Sequence, residues 1–180
     1  MSLNTLDFRE KCPYCTVDEY YGLKALGNSM PEGVCVVMIG AGPGQLLMSW
    51  LEGYKYNKAN ITVIDIDTCQ WVGKHIAGNP SITTKNLITY VVTDSAAFGR
   101  MWNTPVDLLI VDGDHTKEGV LRDIAAWRDK VTMGGLVWFH DYNPSVWGTP
   151  TGVKEAIEES KLDWTPVLTC GCSILYKRES

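Results

Sequence analysis

The 180-residue sequence predicts a doubly wound α/β fold, with a mostly parallel seven-stranded sheet that ends in a C-terminal antiparallel hairpin. Short apolar runs alternate with helical patterns along most of the chain, as expected when helices connect parallel strands across both faces of a sheet. Several runs are almost continuously apolar, which is typical of strands buried on both sides. The last two runs are separated only by Cys170-Gly171-Cys172, a link that permits a hairpin but not a parallel crossover.

Each strand is predicted from its apolar run, and in chain order the strands are Val34–Ile39, Ile61–Ile66, Leu87–Val92, Val106–Val111, Leu136–Phe139, Thr165–Thr169 and Ser173–Tyr176. Gly134-Gly135 is the predicted turn before the fifth of these strands.

The helices are predicted from helical periodicity, helix-forming residues and end signals, and they are Val17–Leu26, Gln45–Leu51, Thr68–Ile76, Ala96–Trp102, Thr116–Lys130 and Thr151–Ser160. Gly27 is the predicted stop of the first helix. In the fifth, Val120, Ile124 and Trp127 share the predicted buried face and Asp123 lies off it.

Composition and charge limit the classes of function. Hydrophobic residues make up 45% of the chain and charged residues 21%, which is typical of soluble globular proteins. No apolar run approaches the roughly 20 residues of a membrane span, and residues Met1–Lys11 lack the apolar segment of a signal peptide. We therefore expect a cytoplasmic protein without a membrane partner. The net charge of -5, with Lys and Arg scattered singly, disfavours nucleic acid as a partner.

The length suits one domain over residues 1–180, in which residues 1–30 form an N-terminal helical lid and residues 31–180 the Rossmann-like core. A homodimer is compatible with this organisation. The six cysteines include the close pairs Cys12/Cys15 and Cys170/Cys172. Free thiols are the simpler interpretation, because the pairs lie at opposite ends of the chain and the second is spaced more tightly than usual for zinc.

The first predicted strand ends in the glycine-rich turn Gly40-Ala41-Gly42-Pro43-Gly44. Gly40 allows a tight turn, and Gly42 allows a ligand to approach the backbone closely. The helix that follows offers unpaired N–H groups, which suit a carboxylate or a pyrophosphate. A dinucleotide-binding turn favours a third glycine where this chain has Gln45, which counts against a nicotinamide cofactor.

Polar residues end each of the next four strands of the predicted parallel sheet, and they are Asp65, Asp94, Asp112 and His140-Asp141. Ligands of such sheets bind at the carboxyl ends of the strands, so these side chains are expected to meet there. Asp65 is placed to accept the hydroxyls of a ribose. Asp94 is either an acceptor for an adenine amino group or a helix cap, and Ile66 and Trp71 are candidates to flank the adenine ring.

The motifs together resemble the class I S-adenosylmethionine-dependent methyltransferases. G-A-G-P-G, V-I-D-I-D, D-G-D-H-T-K-E-G-V-L-R-D and G-G-L-V-W-F-H-D-Y carry the resemblance, and the third is similar to a bacterial small-molecule O-methyltransferase branch. The resemblance implies a Rossmann-like methyltransferase fold and S-adenosylmethionine as cofactor. The implied cofactor-binding residues are Gly40, Ala41, Gly42 and Gly44 at the methionine part, Asp65 at the ribose, Ile66, Asp94 and Ser95 at the adenine, and Asp112.

One position departs from the family pattern. An acidic residue usually lies two positions before the first glycine, and this chain has Met38 there. That acid helps to orient the cofactor in the family. Its replacement keeps open a cofactor-binding protein without catalysis, as the alternative to an enzyme.

Asp112, Asp114, His115, His140 and Asp141 are expected to converge at the mouth of the site. A hydroxyl acceptor must lose a proton, which a histidine or a bound cation can promote. His115, His140 and Asp112 are therefore the candidate catalytic residues, with His115 preferred as base. Asp112 and Asp141 match the positions of metal-binding carboxylates in metal-dependent relatives and would suit Mg²⁺, although Tyr142 stands where one group of relatives has an asparagine ligand.

The sequence therefore predicts transfer of a methyl group from S-adenosylmethionine to a small-molecule acceptor, at a hydroxyl oxygen. No inserted domain is present to hold a macromolecule. The loop that carries Trp147 and the N-terminal segment that carries Tyr14 are candidates for the walls of an acceptor pocket. A nicotinamide-dependent oxidoreductase is the remaining alternative, and the closing hairpin counts against it.

Overall fold

A computed structural model describes residues 14–56, 58–67, 73–74, 78, 86–143 and 151–179. Seven strands form one sheet, and β1 to β7 are Cys35–Ile39, Asn60–Asp65, Leu87–Val92, Val106–Val111, Val131–Phe139, Thr165–Cys170 and Ser173–Lys177. The helices bounded within the described residues, α1 to α5, are Val17–Ser29, Gln45–Gly53, Ser95–Met101, Lys117–Trp127 and Val153–Ser160. The predicted helix Thr68–Ile76 falls almost entirely outside these residues, as do Trp71, Trp147, Cys12 and Cys69.

The strand order is β3-β2-β1-β4-β5-β7-β6. The first five strands pair in parallel, and β7 is antiparallel to both β5 and β6. The chain reverses its direction of winding between β1 and β4, which are neighbours in the sheet. The predicted doubly wound sheet with a C-terminal hairpin is therefore confirmed. Its switch point is the edge at which ligands of such sheets bind.

Side chains of alternate residues in β1 enter two separate cores. Val36 and Met38 pack on the face covered by α1 and α2, whereas Val37 and Ile39 pack on the face covered by α3, α4 and α5. Met38 is fully buried, so the position that is usually acidic contributes here to the apolar core. A strand buried on both faces explains why its sequence is continuously apolar.

The first helix runs past its predicted end, because Gly27 does not stop it. A Cβ atom on Gly27 would lie 2.2 Å from the carbonyl oxygen of Trp50, so this glycine allows α1 to approach α2 closely. The helix ends at Ser29, just before Met30 and Pro31. Within the predicted N-terminal lid, α1 thus packs in the core through Leu23 and Leu26, and residues 1–13 lie outside the described part.

Two expectations in the second half of the chain were wrong. The fifth strand begins at Val131 rather than Leu136, because residues before the double glycine already pair with β4 across a register shift. Asp123 was expected off the buried face of α4, but its side chain is only 4% exposed. The helix is enclosed on more than one side, since the Ser95 hydroxyl of α3 donates a hydrogen bond to the Asp123 carboxylate.

Among the described residues, no helix combines the length and the apolar character that a crossing of the bilayer requires.

Candidate active site

A cavity of about 580 Å³ opens at the carboxyl ends of β1, β2 and β4, within the usual size range of small-molecule sites. Its walls come from strand ends, from the loops that follow them, from the start of α3 and from α4. They are formed by Ile39, Gly40, Gly42, Ile64, Asp65, Ile66, Thr93, Asp94, Ser95, Asp112, Gly113, Asp114, Gly119, Arg122 and Asp123. Seven of the nine predicted cofactor-binding residues are among them. The structure therefore brings these seven residues to one cavity.

The glycine-rich turn has the backbone that its sequence predicts. Gly40, Gly42 and Gly44 have φ angles of 77°, 43° and 81°, in the left-handed region that favours glycine. A Cβ atom on Gly40 would also lie 2.0 Å from the carbonyl oxygen of Asp112. Gly44 is the N-cap of α2, so the positive end of this helix is directed toward the turn. Ala41 and Gly44 are buried and do not line the cavity.

The Asp65 carboxylate holds the glycine-rich turn through its backbone. One oxygen accepts hydrogen bonds from the N–H groups of Ala41 at 2.7 Å and Gly42 at 3.4 Å, and the other accepts from the N–H of Asp67 at 3.0 Å. A carboxylate offers about four acceptor positions, so one remains and a second is only weakly used. Beside it, Ile66 presents an 81% exposed apolar side chain to the cavity.

Asp94 is a helix cap, which is one of the two interpretations that the sequence left open. Its carboxylate accepts from the N–H of Ala97 at 2.7 Å and pairs with the guanidinium of Arg122 at 2.7 Å. The hydrogen bond from Ala97, and then that from Arg122, lower the pKa of Asp94. Burial raises the pKa of the neighbouring Asp123 to about 6, against the hydrogen bond from Ser95.

Four side chains form an acid–histidine cluster beside the cavity: Asp112, His115, His140 and Asp141. Oδ1 of Asp112 lies 2.8 Å from Nδ1 of His140 and 3.2 Å from Nε2 of His115. Oδ2 of Asp141 lies 3.0 Å from Nδ1 of His115 and 3.4 Å from Nδ1 of His140. Asp112 also lines the cavity, so it joins the cluster to the cavity.

The carboxylates and imidazoles of the cluster shift one another's pKa. The hydrogen bonds that His115 donates, first to Asp112 and then to Asp141, raise the pKa of His115 to about 9 despite its partial burial. Burial disfavours a charged His140, but the Asp112 carboxylate outweighs it and raises the pKa of His140 far above its usual range. The two histidines correspondingly lower the pKa of both Asp112 and Asp141, against the effect of burial. With a pKa of about 9, His115 is therefore an imidazolium cation at neutral pH in this arrangement.

The donor set of the cluster fits a divalent cation. Each of the four side chains can present one ligand atom, and these atoms all lie within 4.8 Å of one another. Carboxylates suit Mg²⁺ and Mn²⁺, whereas imidazoles suit transition metals. Asp141 supplies its carboxylate from a left-handed backbone, φ 52°, which is uncommon outside glycine and often found at functional positions.

Sequence reasoning gave no role in the site to three charged residues of this region. Arg122 and Asp123 line the cavity from α4, and Glu19 of α1 lies 3.5 Å from Nε2 of His140. Arg122 and Asp123 belong to the D-G-D-H-T-K-E-G-V-L-R-D motif, but the motif alone does not indicate that they face the cavity. Glu19 gave only the signal of a capping box with Thr16, which points to a helix start.

Solved structures have the same fold. A protein from Corynebacterium glutamicum is 14% identical, with 100% of this chain and 92% of that chain covered at a TM-score of 0.70. NodS, an N-methyltransferase from Bradyrhizobium japonicum WM9 in complex with S-adenosyl-L-homocysteine, is 17% identical (89% and 86% covered, TM-score 0.63). The O-methyltransferase NovP is 13% identical (92% and 81% covered, TM-score 0.67). An rRNA methylase from Streptococcus thermophilus is also similar in fold.

The match at the level of sequence extends over the strands that form the cavity. Residues 37–142, more than half of the chain, match the model of a family described as a methyltransferase domain. This segment begins within β1 and ends at Tyr142. It includes the glycine-rich turn and all four residues of the acid–histidine cluster. The chain therefore belongs to the methyltransferase domain family and has the class I fold of S-adenosylmethionine-dependent methyltransferases.

Proposed function

We propose that this chain transfers the methyl group of S-adenosylmethionine to a hydroxyl oxygen of a small-molecule acceptor. One observation carries the proposal: Asp112 lines the cavity and also contacts both histidines of the acid–histidine cluster. An acceptor bound at this junction would lie between a cofactor in the cavity and groups that exchange protons. A hydroxyl is the acceptor that most needs such groups, because it must lose a proton as it attacks.

The glycine-rich turn is proposed to bind the methionine part of the cofactor. Gly40 and Gly42 present backbone without side chains to the cavity, and Ala41 and Gly44 support the turn. The N-terminus of α2 would attract the methionine carboxylate. Met38 offers no charge to the methionine amino group, so this end is expected to rely on backbone groups.

Asp65 is proposed to bind the ribose, and the residues around Ile66 the adenine. The free acceptor position of Asp65 suits one ribose hydroxyl, and a second hydroxyl would displace the long contact from Gly42. Ile66 offers an apolar surface to one face of the adenine ring. Asp94 accepts only two hydrogen bonds and so keeps acceptor positions, which leaves Asp94, Ser95 and Asp123 as the candidates at the edge of the ring that carries the amino group.

The proposed reaction is an in-line displacement, for which positioning supplies much of the rate. The acceptor oxygen forms a bond to the methyl carbon, the carbon–sulfur bond breaks, and the sulfur keeps the electron pair. The hydroxyl proton passes to His115, the less buried histidine of the cluster. His115 can accept it only as a neutral imidazole, which requires another positive charge near Asp112 and Asp141.

A divalent cation held by the carboxylates of Asp112 and Asp141 would supply that charge and would polarise the acceptor oxygen. The sequence suggested Mg²⁺, and the adjoining imidazoles make Mn²⁺ an equally suitable ion. In either case His115 and His140 remain beside the two carboxylates and hold their orientation.

Two other functions are alternatives to methyl transfer. A protein that binds the cofactor without catalysis is favoured by one observation, the buried Met38 in place of the usual acid. A nicotinamide-dependent oxidoreductase has less support, since Gln45 replaces the third glycine of a dinucleotide-binding turn. The net charge of -5 favours a small molecule over RNA as the acceptor.

The test is methyl transfer from S-adenosylmethionine that carries a radiolabelled methyl group. The purified chain is incubated with hydroxylated small molecules, with amines and with ribosomal RNA. The proposal requires labelled product from a hydroxylated small molecule. Labelled RNA or labelled amine alone would contradict it, and cofactor binding with no labelled product in any arm would support the non-catalytic alternative.

A further inference from the structure

Nε2 of His140 contacts Cys172 and Glu19. These two residues do not line the cavity, and they lie outside residues 37–142, the segment that matches the family model. We infer that the Cys172 thiol and the Glu19 carboxylate are positioning residues that hold Nε2 of His140 as a hydrogen-bond donor and direct Nδ1 toward Asp112. The inference rests on the proposed function, because it names the support of the same acid–histidine cluster. Glu19 belongs to α1 and Cys172 to the turn of the C-terminal hairpin. These two residues therefore connect segments near both ends of the described chain to the site.

Glu19 is a fully buried carboxylate, with an exposed fraction of 0%. One of its oxygens accepts hydrogen bonds from the backbone N–H and the hydroxyl of Thr16, each at 2.8 Å. The other accepts from the thiol of Cys172 at 2.9 Å and from the hydroxyl of Ser173. The bonds from Thr16 account for the start of α1. Those from Cys172 and Ser173 cross to β7 and its turn, and a helix cap does not need them.

Cys172 connects this carboxylate to His140. Its thiol donates to Oε1 of Glu19 at 2.9 Å, and its sulfur lies 3.5 Å from Nε2 of His140. A thiol has a single hydrogen, so the sulfur can offer only a lone pair to the imidazole. Nε2 must therefore be the donor.

The opposite side of the ring faces the site. Nδ1 of His140 is buried 2.8 Å from Oδ1 of Asp112 and 3.4 Å from Oδ2 of Asp141, yet no group of the described structure is aligned to form a hydrogen bond with it. A flip of the ring would exchange Nδ1 for a carbon and remove both contacts. The bond at Nε2 prevents this flip, since a carbon atom could not replace Nε2 as a donor to sulfur.

A histidine whose second nitrogen is fixed in this way has a defined ring orientation. Loss of such a supporting contact typically reduces activity or metal affinity by about 10- to 100-fold. The same loss leaves the cavity intact, because neither Glu19 nor Cys172 lines it. Substitution of Cys172 or Glu19 should therefore lower turnover and leave the affinity for the cofactor unchanged.

The experiment uses ¹⁵N NMR of the imidazole nitrogens in the full chain at one fixed pH. The chain has three histidines, His75, His115 and His140, so the signals can be assigned by substitution. Cys172→Ala removes the bridge, Cys172→Ser restores a donor and an acceptor, and Glu19→Gln keeps the shape but loses the charge. Ser173→Ala is the matched control, because it removes a buried donor to the same Glu19 oxygen without contact to His140.

We expect a protonated Nε2 in the wild-type chain, a displaced His140 Nε2 resonance in Cys172→Ala and Glu19→Gln, recovery in Cys172→Ser, and no change in Ser173→Ala. Equal His140 spectra in the wild type and Cys172→Ala would overturn the inference, as would an equal displacement in Ser173→Ala. Loss of one equivalent of zinc in Cys172→Ala would also overturn it, since Glu19, His140 and Cys172 would then be metal ligands.

Thermal melting identifies any variant that fails to fold, and Glu19→Gln and Cys172→Ala provide two independent variants. The NMR measurement needs neither cofactor nor acceptor. A chain that fails to bind S-adenosylmethionine would refute the proposed function while the His140 result stands. A chain that methylates an acceptor with an unchanged His140 spectrum in Cys172→Ala would refute only the positioning role.

Discussion

Nδ1 of His140 lies 2.8 Å from Oδ1 of Asp112, at the end of the strand that neighbours β1 in the sheet. The same oxygen contacts His115, and Asp112 also lines the cavity. One carboxylate thus belongs both to the space proposed for the cofactor and to the groups proposed to handle the acceptor proton. Substitutions on the two sides of Asp112 should therefore separate binding from turnover.

Asp65→Ala should weaken the binding of S-adenosylhomocysteine. A hydrogen bond to a charged group contributes about 1.5–3 kcal/mol, so the Kd should rise by about 10- to 100-fold in isothermal titration calorimetry. Asp107→Asn is the matched control, because Asp107 also accepts from a backbone N–H, that of Cys35, at the opposite end of the sheet. An unchanged Kd in Asp65→Ala would remove Asp65 from the ribose site.

His115→Gln should reduce turnover without weakening cofactor binding. Loss of a general base typically lowers kcat by about 10²- to 10⁴-fold, and His115 does not line the cavity. Steady-state kinetics with the acceptor found by radiolabelling, together with the Kd of S-adenosylhomocysteine, measure the two effects separately. Lys117→Ala is the control nearby, since Lys117 pairs with Glu159 outside the cluster. Full turnover in His115→Gln would assign the base elsewhere.

Chelation should abolish methyl transfer, and Mg²⁺ or Mn²⁺ should restore it. Asp141→Asn should show little activity at any concentration of either ion. Asparagine tolerates the left-handed backbone of position 141, so the variant removes the charge and keeps the fold. Activity that persists in a strong chelator would eliminate the cation from the mechanism.

Asp123→Asn should change how stability depends on pH. The pKa of Asp123 is raised from 3.8 to about 6, so between these pH values the folded protein binds more protons than the unfolded chain. Stability from this group therefore falls as the pH rises from about 4 to about 6, by about 3 kcal/mol. Because asparagine never ionises, the variant should match the wild type near pH 4 and exceed it by about this amount at neutral pH.

Urea unfolding at the two pH values measures this difference directly. The hydrogen bond from Ser95 can persist in Asp123→Asn, since an amide oxygen also accepts. A stability difference between the variant and the wild type that is the same at both pH values would contradict the raised pKa of Asp123.

The sheet and the residues at the ends of its strands could be predicted because their signals lie in short stretches of sequence. Buried strands are short apolar runs, and in a parallel sheet the residues that end them meet at one edge. This is why Gly40, Asp65 and Asp112 could be placed together from their positions alone. The hairpin at Gly171 followed equally from the length of the link.

What the sequence did not predict depends on packing between distant segments. Gly27 resembles a helix stop, and only the nearby Trp50 carbonyl explains why the helix continues through it. Asp123 was placed outside the buried face because the contact with Ser95 spans two helices. Glu19 reaches His140 through the fold, from a helix whose own sequence indicates only a capping box.

The most direct test of the proposed function is calorimetric titration of the wild-type chain with S-adenosylmethionine, S-adenosylhomocysteine and NAD in separate experiments. The arrangement of Gly40, Gly42 and Asp65 around one cavity predicts saturable binding of the two adenosyl compounds, one molecule per site, and no heat of binding with NAD. Binding of NAD alone, or no binding of either adenosyl compound, would contradict it.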